Sequence, residues 1–480
     1  MDSKNEQATK IDWKKILSES FIIIVIYLAG YFISLSISYI SAFVLIITAV
    51  ILYFYYSLNG EKSFLKLKAV FSGVWLFTSG IAQFRFLNYQ DPWNPITWFN
   101  IAIAHLTFLV GINLSYYLFP KVKHFYLMKI KQKFSKSFYL TSSSNKLFLI
   151  TTVLSLIGIS AFIANVFIKG YIPYFVIGSN QSAYLHFYSR VHIFFIASIA
   201  SVGISYYCLI KYDLSVLKKF ILLVYILIIV LVIPTLLVQR GAYIVASIIL
   251  VVSIYMMSNK KFWILIICGV LVASGYMAGS SLRGYSDEQL AVFFPAREVE
   301  EHIEDEEHIE DEDLISNPSI DFQLSPKFSF LYSYLTVSHD NFNSLVENKA
   351  ESTYGLYQIK PFNVILRSSW INEQLEIQEE KLEDYRVLYH LTTFNLISMA
   401  YMDFGTLGVV FFMLVWSFAF GLIEAYHSRF KGPFSMVAYA VCLVPVALSF
   451  FDPWMSNFIP WLLWGTVFLM YLGSSLARKN

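Results

Sequence analysis

Apolar runs long enough to cross a lipid bilayer recur along most of this chain, with polar connections between them. A membrane-spanning helix needs about 17–25 apolar residues. Backbone amides inside lipid must be hydrogen-bonded within their own segment, and the runs lack the alternating pattern of barrel strands. Charged residues make up 14% of the chain, against about 25% in a soluble domain. The sequence therefore predicts an all-α, polytopic membrane protein.

The positions of lysine indicate how the chain crosses the membrane. Cytoplasmic connections carry an excess of Lys and Arg, and here every second connection and both ends of the chain are basic. This alternation predicts about twelve transmembrane helices with both termini in the cytoplasm. The expected spans are Ile16–Ser36, Ile40–Tyr56, Leu67–Phe84, Ile96–Leu118, Leu147–Ile168, Val191–Ile210, Phe220–Val238, Ala242–Met257, Phe262–Ser280, Asp403–Ala425, Phe434–Phe450 and Trp454–Ser474.

The one long polar segment, Leu282–Leu391, falls on the outer side in this topology. It separates an N-terminal membrane region of about nine spans, residues 1–281, from a C-terminal one of about three spans, residues 392–480. Aromatic and aliphatic residues at helical spacing predict short helices inside this outer loop. Its tandem acidic hexads, Glu301–Glu306 and Glu307–Glu312, are typical of a solvated insertion. We expect no metal site there, because the run lacks an ordered ligand loop.

Arginine is distributed opposite to lysine, because most arginines fall in outer connections. A guanidinium is a planar fork that suits phosphate oxygens, whereas an ammonium is a point charge. A single outer arginine is equally well explained by a loop carboxylate or a lipid phosphate, but the set favours a site for a phosphorylated ligand. Arg240 stands out because it lies in a short polar turn between two long apolar spans. The candidate phosphate-binding residues are Arg240, Arg283, Arg297 and Arg367.

The sequence lacks the motifs of several common kinds of catalytic and metal site. It contains no nucleotide-binding loop, serine triad, HExxH or paired-cysteine metal motif, and its three cysteines lie inside apolar runs. We therefore expect no cofactor, no metal and no nucleic-acid partner. His105, within the fourth span, is predicted to be a hydrogen-bonded core histidine. Asp403, at the start of a span, suits the dipole of that helix's amino end.

Three short motifs and their order resemble those of the Wzy-type oligosaccharide repeat-unit polymerases, which are O-antigen or capsule polymerases related to O-antigen ligases. The motifs are Gln239-Arg240-Gly241-Ala242, Tyr354-Gly355-Leu356-Tyr357 and Asp403-Phe404-Gly405-Thr406-Leu407-Gly408. The topological resemblance covers nearly the whole chain. It implies a fold like that of lipid-donor glycosyltransferases, in the bacterial cytoplasmic (inner) membrane, with the active site facing the periplasm.

The same resemblance implies the reaction and the partners. A growing glycan on undecaprenyl pyrophosphate would be transferred to a hydroxyl of another lipid-linked repeat unit, without a cofactor. The expected partners are undecaprenyl-pyrophosphate-linked oligosaccharides, the bilayer and a chain-length regulator protein. The candidate arginines would neutralise the leaving pyrophosphate, and Tyr354, Tyr357 and Asn395 would contact the glycan.

The general base that takes the proton of the acceptor stays open between two histidines. O-antigen ligases carry a His-Asn pair shortly before the glycine turn, whereas this chain has Phe394-Asn395 there. His390 lies just before that pair and His339 lies farther back, while Asp403 is a third candidate.

A transporter or flippase of lipid-linked oligosaccharide is the alternative from another class, and a regulatory membrane protein without chemistry is a second. A flippase would share the spans and a cationic cavity. It is expected to carry ionisable residues deep in its spans and not to need a large outer loop. The sequence shows the reverse and therefore favours the polymerase.

Overall fold

Helices make up the regular architecture of the protein, as described by a computed structural model. The residues described are 13–59, 63–130, 144–176, 187, 189–258, 263, 325–388 and 391–476. The helices are α1 (Trp13–Ser36), α2 (Ser38–Leu58), α3 (Leu67–Ala82), α4 (Pro95–Ile130), α5 (Ser144–Lys169), α6 (Pro173–Val176), α7 (His192–Ser198), α8 (Ala200–Lys211), α9 (Val216–Leu227), α10 (Ile233–Leu237), α11 (Arg240–Met257), α12 (Pro326–Glu347), α13 (Leu356–Leu366), α14 (Ser369–Glu383), α15 (Ser398–Phe430), α16 (Pro433–Ala447) and α17 (Phe458–Leu476). A π-helical turn, Ile228–Val232, joins α9 to α10, and a 3₁₀ turn, Trp454–Ser456, precedes α17.

Eight helical segments in the described part of the chain are long and apolar enough to cross a membrane. Three shorter apolar helices, α3, α16 and α17, accompany them. These helices confirm the predicted all-α class and make the chain a multi-pass membrane protein. The expected ninth span, residues 262–280, lies outside the described residues apart from Trp263.

Proline and backbone geometry explain where several of the helices begin and end. α4, α12 and α16 each start at a proline, whose fixed φ and missing N–H suit the first helical position. α10 is followed by Val238, which caps the helix and has a left-handed φ of 52°. That residue reverses the chain and places Gln239 and Arg240 at the start of α11.

Small residues bring α4 and α15 into close contact along the centre of the bundle. A Cβ atom added to Gly111 would lie 2.0 Å from Ser417 Oγ, and one added to Gly421 would lie 2.0 Å from Ser115 Oγ. Inside lipid, helices associate by packing, and small residues allow backbones to approach. α1, α3 and α12 pack against this central pair.

The two ends of the bundle differ in composition. At one end, which we call the α12 end, Gln90, Arg240 and the Phe450 carbonyl all bond to side chains of α12. At the other, which we call the lysine end, lysines from several connections surround one cavity. These lysines are Lys15, Lys66, Lys68, Lys211 and Lys431. The basic connections that the sequence assigns to one side therefore meet at one end of the bundle.

Candidate functional site

α12 is a polar helix buried in a membrane protein. Most of its hydroxyl, amide and ionisable side chains are shielded from solvent: Ser329, Ser333, Thr336, Ser338, His339, Asp340, Asn341 and Asn343. Burying such groups is costly unless they are hydrogen-bonded, so a buried helix with this many polar side chains is a functional candidate. α12 therefore carries the candidate site.

His339 lies at the centre of this buried polar surface. Its Nε2 is 3.1 Å from Thr78 Oγ1 on α3, and its Nδ1 is 3.4 Å from Asn395 Nδ2. The Thr78 hydroxyl donates its own hydrogen to the Val74 carbonyl at 2.9 Å, so its oxygen accepts from His339 Nε2–H. This assigns the neutral ring with its proton on Nε2 and its lone pair on Nδ1, facing the Asn395 amide.

Aromatic rings enclose the same histidine. Its ring centroid is 5.4 Å from that of Trp75 and 5.6 Å from that of Trp93, and the side chain is 0% exposed. Burial lowers the pKa of His339 to about 3, because an imidazolium would lose its hydration. The ring is therefore neutral at physiological pH, with a lone pair on Nδ1.

Asp340, the next residue, joins α12 to the α3–α4 connection. Its two carboxylate oxygens accept hydrogen bonds at 3.0 Å from Trp93 Nε1 and from Gln90 Nε2. Burial raises the pKa of Asp340 to about 7, while those hydrogen bonds and the charge of Arg85 oppose the rise. Trp93 thus contacts both the His339 ring and the Asp340 carboxylate.

Arg240 reaches the same helix from the start of α11. Its Nη1 donates to Tyr334 Oη at 3.3 Å, and its guanidinium lies 5.8 Å from the Phe330 ring and 5.9 Å from the Tyr334 ring. Cation–π contacts of this kind hold a guanidinium in a fixed orientation. Tyr334 precedes His339 on α12, at an axial rise of about 7.5 Å. The structure therefore brings the Arg240 side chain, from α11, to the helix that carries His339.

Asp403, in α15, caps the amino end of α13. Its carboxylate accepts from the backbone N–H groups of Tyr357 and Gln358, each at 3.2 Å, and from the Thr353 hydroxyl. These amides belong to the first turn of α13, where a negative charge is favourable. Asp403 was expected to serve the amino end of its own span. In the structure α15 begins earlier, at Ser398, and breaks just after Asp403, and the bonds of the carboxylate go to residues before α15.

The break in α15 explains the third motif. Phe404 has φ −147° and Gly405 has φ 59° with ψ −149°, a region that is essentially open only to glycine. A Cβ on Gly355 would lie 3.3 Å from Phe404. The second and third motifs thus meet in space, with Asp403 joining them.

The other predicted site residues differ in their exposure and in their contacts. Tyr354 is 82% exposed, whereas Tyr357 is 1% exposed and packs in the core. Arg367 is exposed at the end of α13, and no contact among the described residues joins it to His339. Asn395 contacts His339. Arg283, Arg297 and His390 lie outside the described residues.

An apolar groove of about 600 Å³ lies beside the break in α15. Phe404, Gly405, Leu407 and Phe411 form much of its wall. Tyr401, on the same wall, packs edge-on against Phe342 of α12, with 5.4 Å between ring centroids. The groove is therefore adjacent to the site-bearing helix.

Sequence patterns alone missed several parts of the site. Thr78, Gln90 and Trp93 stand in no motif, and their shared feature is contact with α12 across long sequence separations. Asp340, on α12 itself, also stands in no motif. The one available signal was a His-Asp dipeptide followed by two asparagines on a helix otherwise rich in aromatic residues. His105 is confirmed as a hydrogen-bonded core histidine, because its ring contacts Tyr27 and Ser72 at 3.2 and 2.8 Å.

No group of three or more metal-binding side chains occurs within the part of the chain that the structure describes. No protein-family model, curated protein or solved structure matches the chain significantly.

Proposed function

We propose that the protein is a membrane glycosyltransferase that joins undecaprenyl-pyrophosphate-linked oligosaccharide repeat units into surface polysaccharide. One observation carries the proposal. A neutral histidine, fixed by Thr78 and facing Asn395, lies on a buried polar helix whose Phe330 and Tyr334 rings contact the Arg240 guanidinium. A base and a phosphate-binding cation at one end of a membrane bundle suit glycosyl transfer from a lipid pyrophosphate.

The proposed step needs only these two groups and the two substrates. The bond between the donor sugar and the pyrophosphate oxygen breaks, and the acceptor hydroxyl oxygen forms the new glycosidic bond. The acceptor proton moves to His339 Nδ1, and undecaprenyl pyrophosphate leaves with the electron pair of the broken bond. Arg240 neutralises the charge that develops on that leaving group, with Arg283, Arg297 and Arg367 as further candidates.

The contacts favour His339 over Asp403 as the base. The Asp403 carboxylate already accepts bonds from two backbone amides and a hydroxyl. His339 Nδ1 meets a single donor at the long distance of 3.4 Å, which an acceptor hydroxyl can displace. His390 remains a candidate from the sequence. Among the proposed glycan contacts, Tyr354 has an exposed ring and Asn395 contacts His339.

The apolar groove beside α15 offers a place for the polyprenyl chain. Its walls are largely aromatic and aliphatic, and it lies next to α12. A lipid-linked substrate must keep its chain in an apolar environment while its pyrophosphate reaches a polar one.

The proposed topology keeps about twelve spans, cytoplasmic termini, and the α12 end at the periplasmic face of a bacterial inner membrane. Cysteine labelling in intact cells tests this orientation with Asn348→Cys, next to α12, and Lys218→Cys, near the lysine end. We expect an impermeant reagent to label the first and not the second. Labelling of both, or only of the second, overturns the orientation.

Purified protein incubated with lipid-linked repeat units tests the function itself. We expect a ladder of products that is absent with His339→Ala. The flippase alternative draws support from the lysine-lined cavity at the opposite end, where Glu19 and Lys68 form a buried ion pair. Movement of the lipid-linked substrate across vesicles, without ladders in either preparation, would favour that alternative and reject the polymerase.

A further inference from the structure

A second cavity, of about 640 Å³, lies at the lysine end. The ends of α2, α8 and α11 and the beginnings of α1, α3 and α16 line it, so it sits where the helices converge. Along α3, Lys68 lines the cavity and Thr78 contacts His339, an axial rise of about 15 Å. The cavity is thus separate from the site on α12, and its volume is in the range of small-molecule sites.

Both carboxylates on the cavity wall are hydrogen-bonded. Glu19 Oε2 accepts from Lys68 Nζ at 2.9 Å and from Asn113 Nδ2 at 3.0 Å. Glu424 Oε1 accepts from the Leu67 amide at 3.1 Å and from Tyr439 Oη at 2.9 Å. Five lysines and two glutamates line the cavity, so its wall carries an excess of positive charge among the described residues. The lysines other than Lys68 are Lys15, Lys66, Lys211 and Lys431.

One buried hydrogen-bond acceptor on the same wall, a carboxylate oxygen of Glu19, has no donor within the described segments. Glu19 is 4% exposed, and its Oε1 has no hydrogen-bond partner within the described segments. A buried carboxylate oxygen without a donor is unfavourable. A ligand that supplies a hydroxyl at this position would satisfy it.

We propose that this cavity binds a phosphate-bearing ligand with a free hydroxyl, such as a glycerol-phosphate group. The phosphate lies among Lys66, Lys211 and Lys431, and the hydroxyl donates to Glu19 Oε1. Ammonium groups bind phosphate as point charges and tolerate varied geometry, which suits lysines drawn from separate helix ends. The same group occurs on phosphatidylglycerol and on soluble glycerol phosphate, and this site is independent of the proposed polymerase activity.

Binding to the full chain in neutral detergent tests the proposal. The probe is phosphatidylglycerol labelled on its acyl chain, followed by fluorescence anisotropy. We expect saturable binding that is roughly a hundredfold weaker in the triple variant Lys66→Gln/Lys211→Gln/Lys431→Gln, at about fivefold per lysine. The matched control is Lys146→Gln/Lys218→Gln/Lys219→Gln, which removes the same charge outside the cavity. Size-exclusion chromatography checks that both variants are folded.

Competitors separate the sources of the ligand. Displacement of the probe by soluble glycerol phosphate supports the phosphate site with a soluble source; its failure, with lysine dependence retained, supports a lipid source. Equal loss of binding in the control triple variant overturns the site, because surface attraction would then explain it. Equal displacement by diacylglycerol, which has no phosphate, also overturns it, and equal displacement by phosphatidylcholine, which has no donor, overturns the Glu19 contact.

Discussion

The Asn395 amide nitrogen lies 3.4 Å from His339 Nδ1, although 56 residues separate the two positions. α12 supplies the histidine, and the segment before α15 supplies the asparagine. Asn395 is itself held, because its Oδ1 accepts from the Ser398 hydroxyl at 2.8 Å. The chain therefore assembles in space the His-Asn combination that it lacks as a dipeptide.

Replacement of His339 by alanine is expected to lower the polymerisation rate by about 10²–10⁴-fold. The reason is that the acceptor hydroxyl would lose the group that takes its proton, while the contacts that bind the donor are unchanged. Ladder formation from lipid-linked repeat units measures the rate. His427→Ala, a histidine at the lysine end, serves as the control and should polymerise normally. Normal ladders from His339→Ala would exclude His339 and leave His390 and Asp403.

Replacement of Thr78 by valine keeps the shape of the side chain and removes the oxygen that accepts from His339 Nε2–H. We expect a rate lowered by about 5–10-fold, the value of one hydrogen bond, because the ring is no longer held with its lone pair on Nδ1. Thr78→Ser restores the oxygen and should restore the rate. If serine and valine behave alike, Thr78 acts only in packing and does not position the ring.

Replacement of Arg240 by lysine keeps the charge and loses the planar fork that stacks on Phe330 and Tyr334. A preorganised contact to a developing anion contributes about 3–4 kcal/mol, so we expect strongly reduced polymerisation from protein that still inserts normally. Arg190→Lys, at an exposed position, is the matched control. Full-length polymer from Arg240→Lys would show that Arg240 contacts lipid headgroups and takes no part in the reaction.

The sequence was sufficient for the fold class, and it singled out some residues of the candidate site. Long apolar runs predict helices because lipid leaves the backbone no other hydrogen-bonding solution, and Arg240 was conspicuous in its short turn. The roles of Asp340 and Asp403 were not accessible in the same way. Asp340 is bound by Gln90 and Trp93, and Asp403 caps a helix that starts more than forty residues earlier in the chain. Such partners are set by tertiary packing, which no local pattern reports.

Asp340 should make stability depend on pH. Burial raises its pKa in the folded state to about 7, above the value of about 3.9 expected for an unfolded chain. The folded protein therefore binds the proton more tightly, and this group's contribution to stability falls as pH rises from about 4 to 7. Buried His339, whose pKa is lowered to about 3, has the opposite pH dependence. The contribution of Asp340 is therefore measured as the difference in thermal midpoint between the wild type and Asp340→Asn in detergent, which should decrease over this range.

Asp340→Asn tests that assignment. Its amide cannot accept from both Trp93 Nε1 and Gln90 Nε2, so we expect a loss of about 1–3 kcal/mol at low pH. The advantage of the wild type over the variant should shrink as pH rises from about 5 to 7. The variant itself keeps a pH dependence, because burial also raises the pKa of Asp452 to about 7. An unchanged pH dependence would mean that Asp340 is not the titrating group.

Replacement of Gly405 by alanine tests whether the break in α15 holds the capping carboxylate in place. Open space surrounds the position, so an added methyl group would meet no neighbour within 4 Å. The strain comes from the backbone, whose φ of 59° and ψ of −149° disfavour any side chain by about 1–3 kcal/mol. Gly465→Ala is the matched control, because it also has open surroundings but lies inside α17. That change should stabilise the protein by about 0.5–1 kcal/mol.

We expect the thermal midpoint of Gly405→Ala to fall and that of Gly465→Ala to rise slightly. The fall should be accompanied by faster proteolysis near residues 350–358, because Asp403 would move away from the amides of Tyr357 and Gln358 that it caps. Equal midpoints for the two variants would show that the backbone at Gly405 is not strained by a side chain. A lower midpoint with unchanged proteolysis would show that the break and the α13 cap are independent of each other.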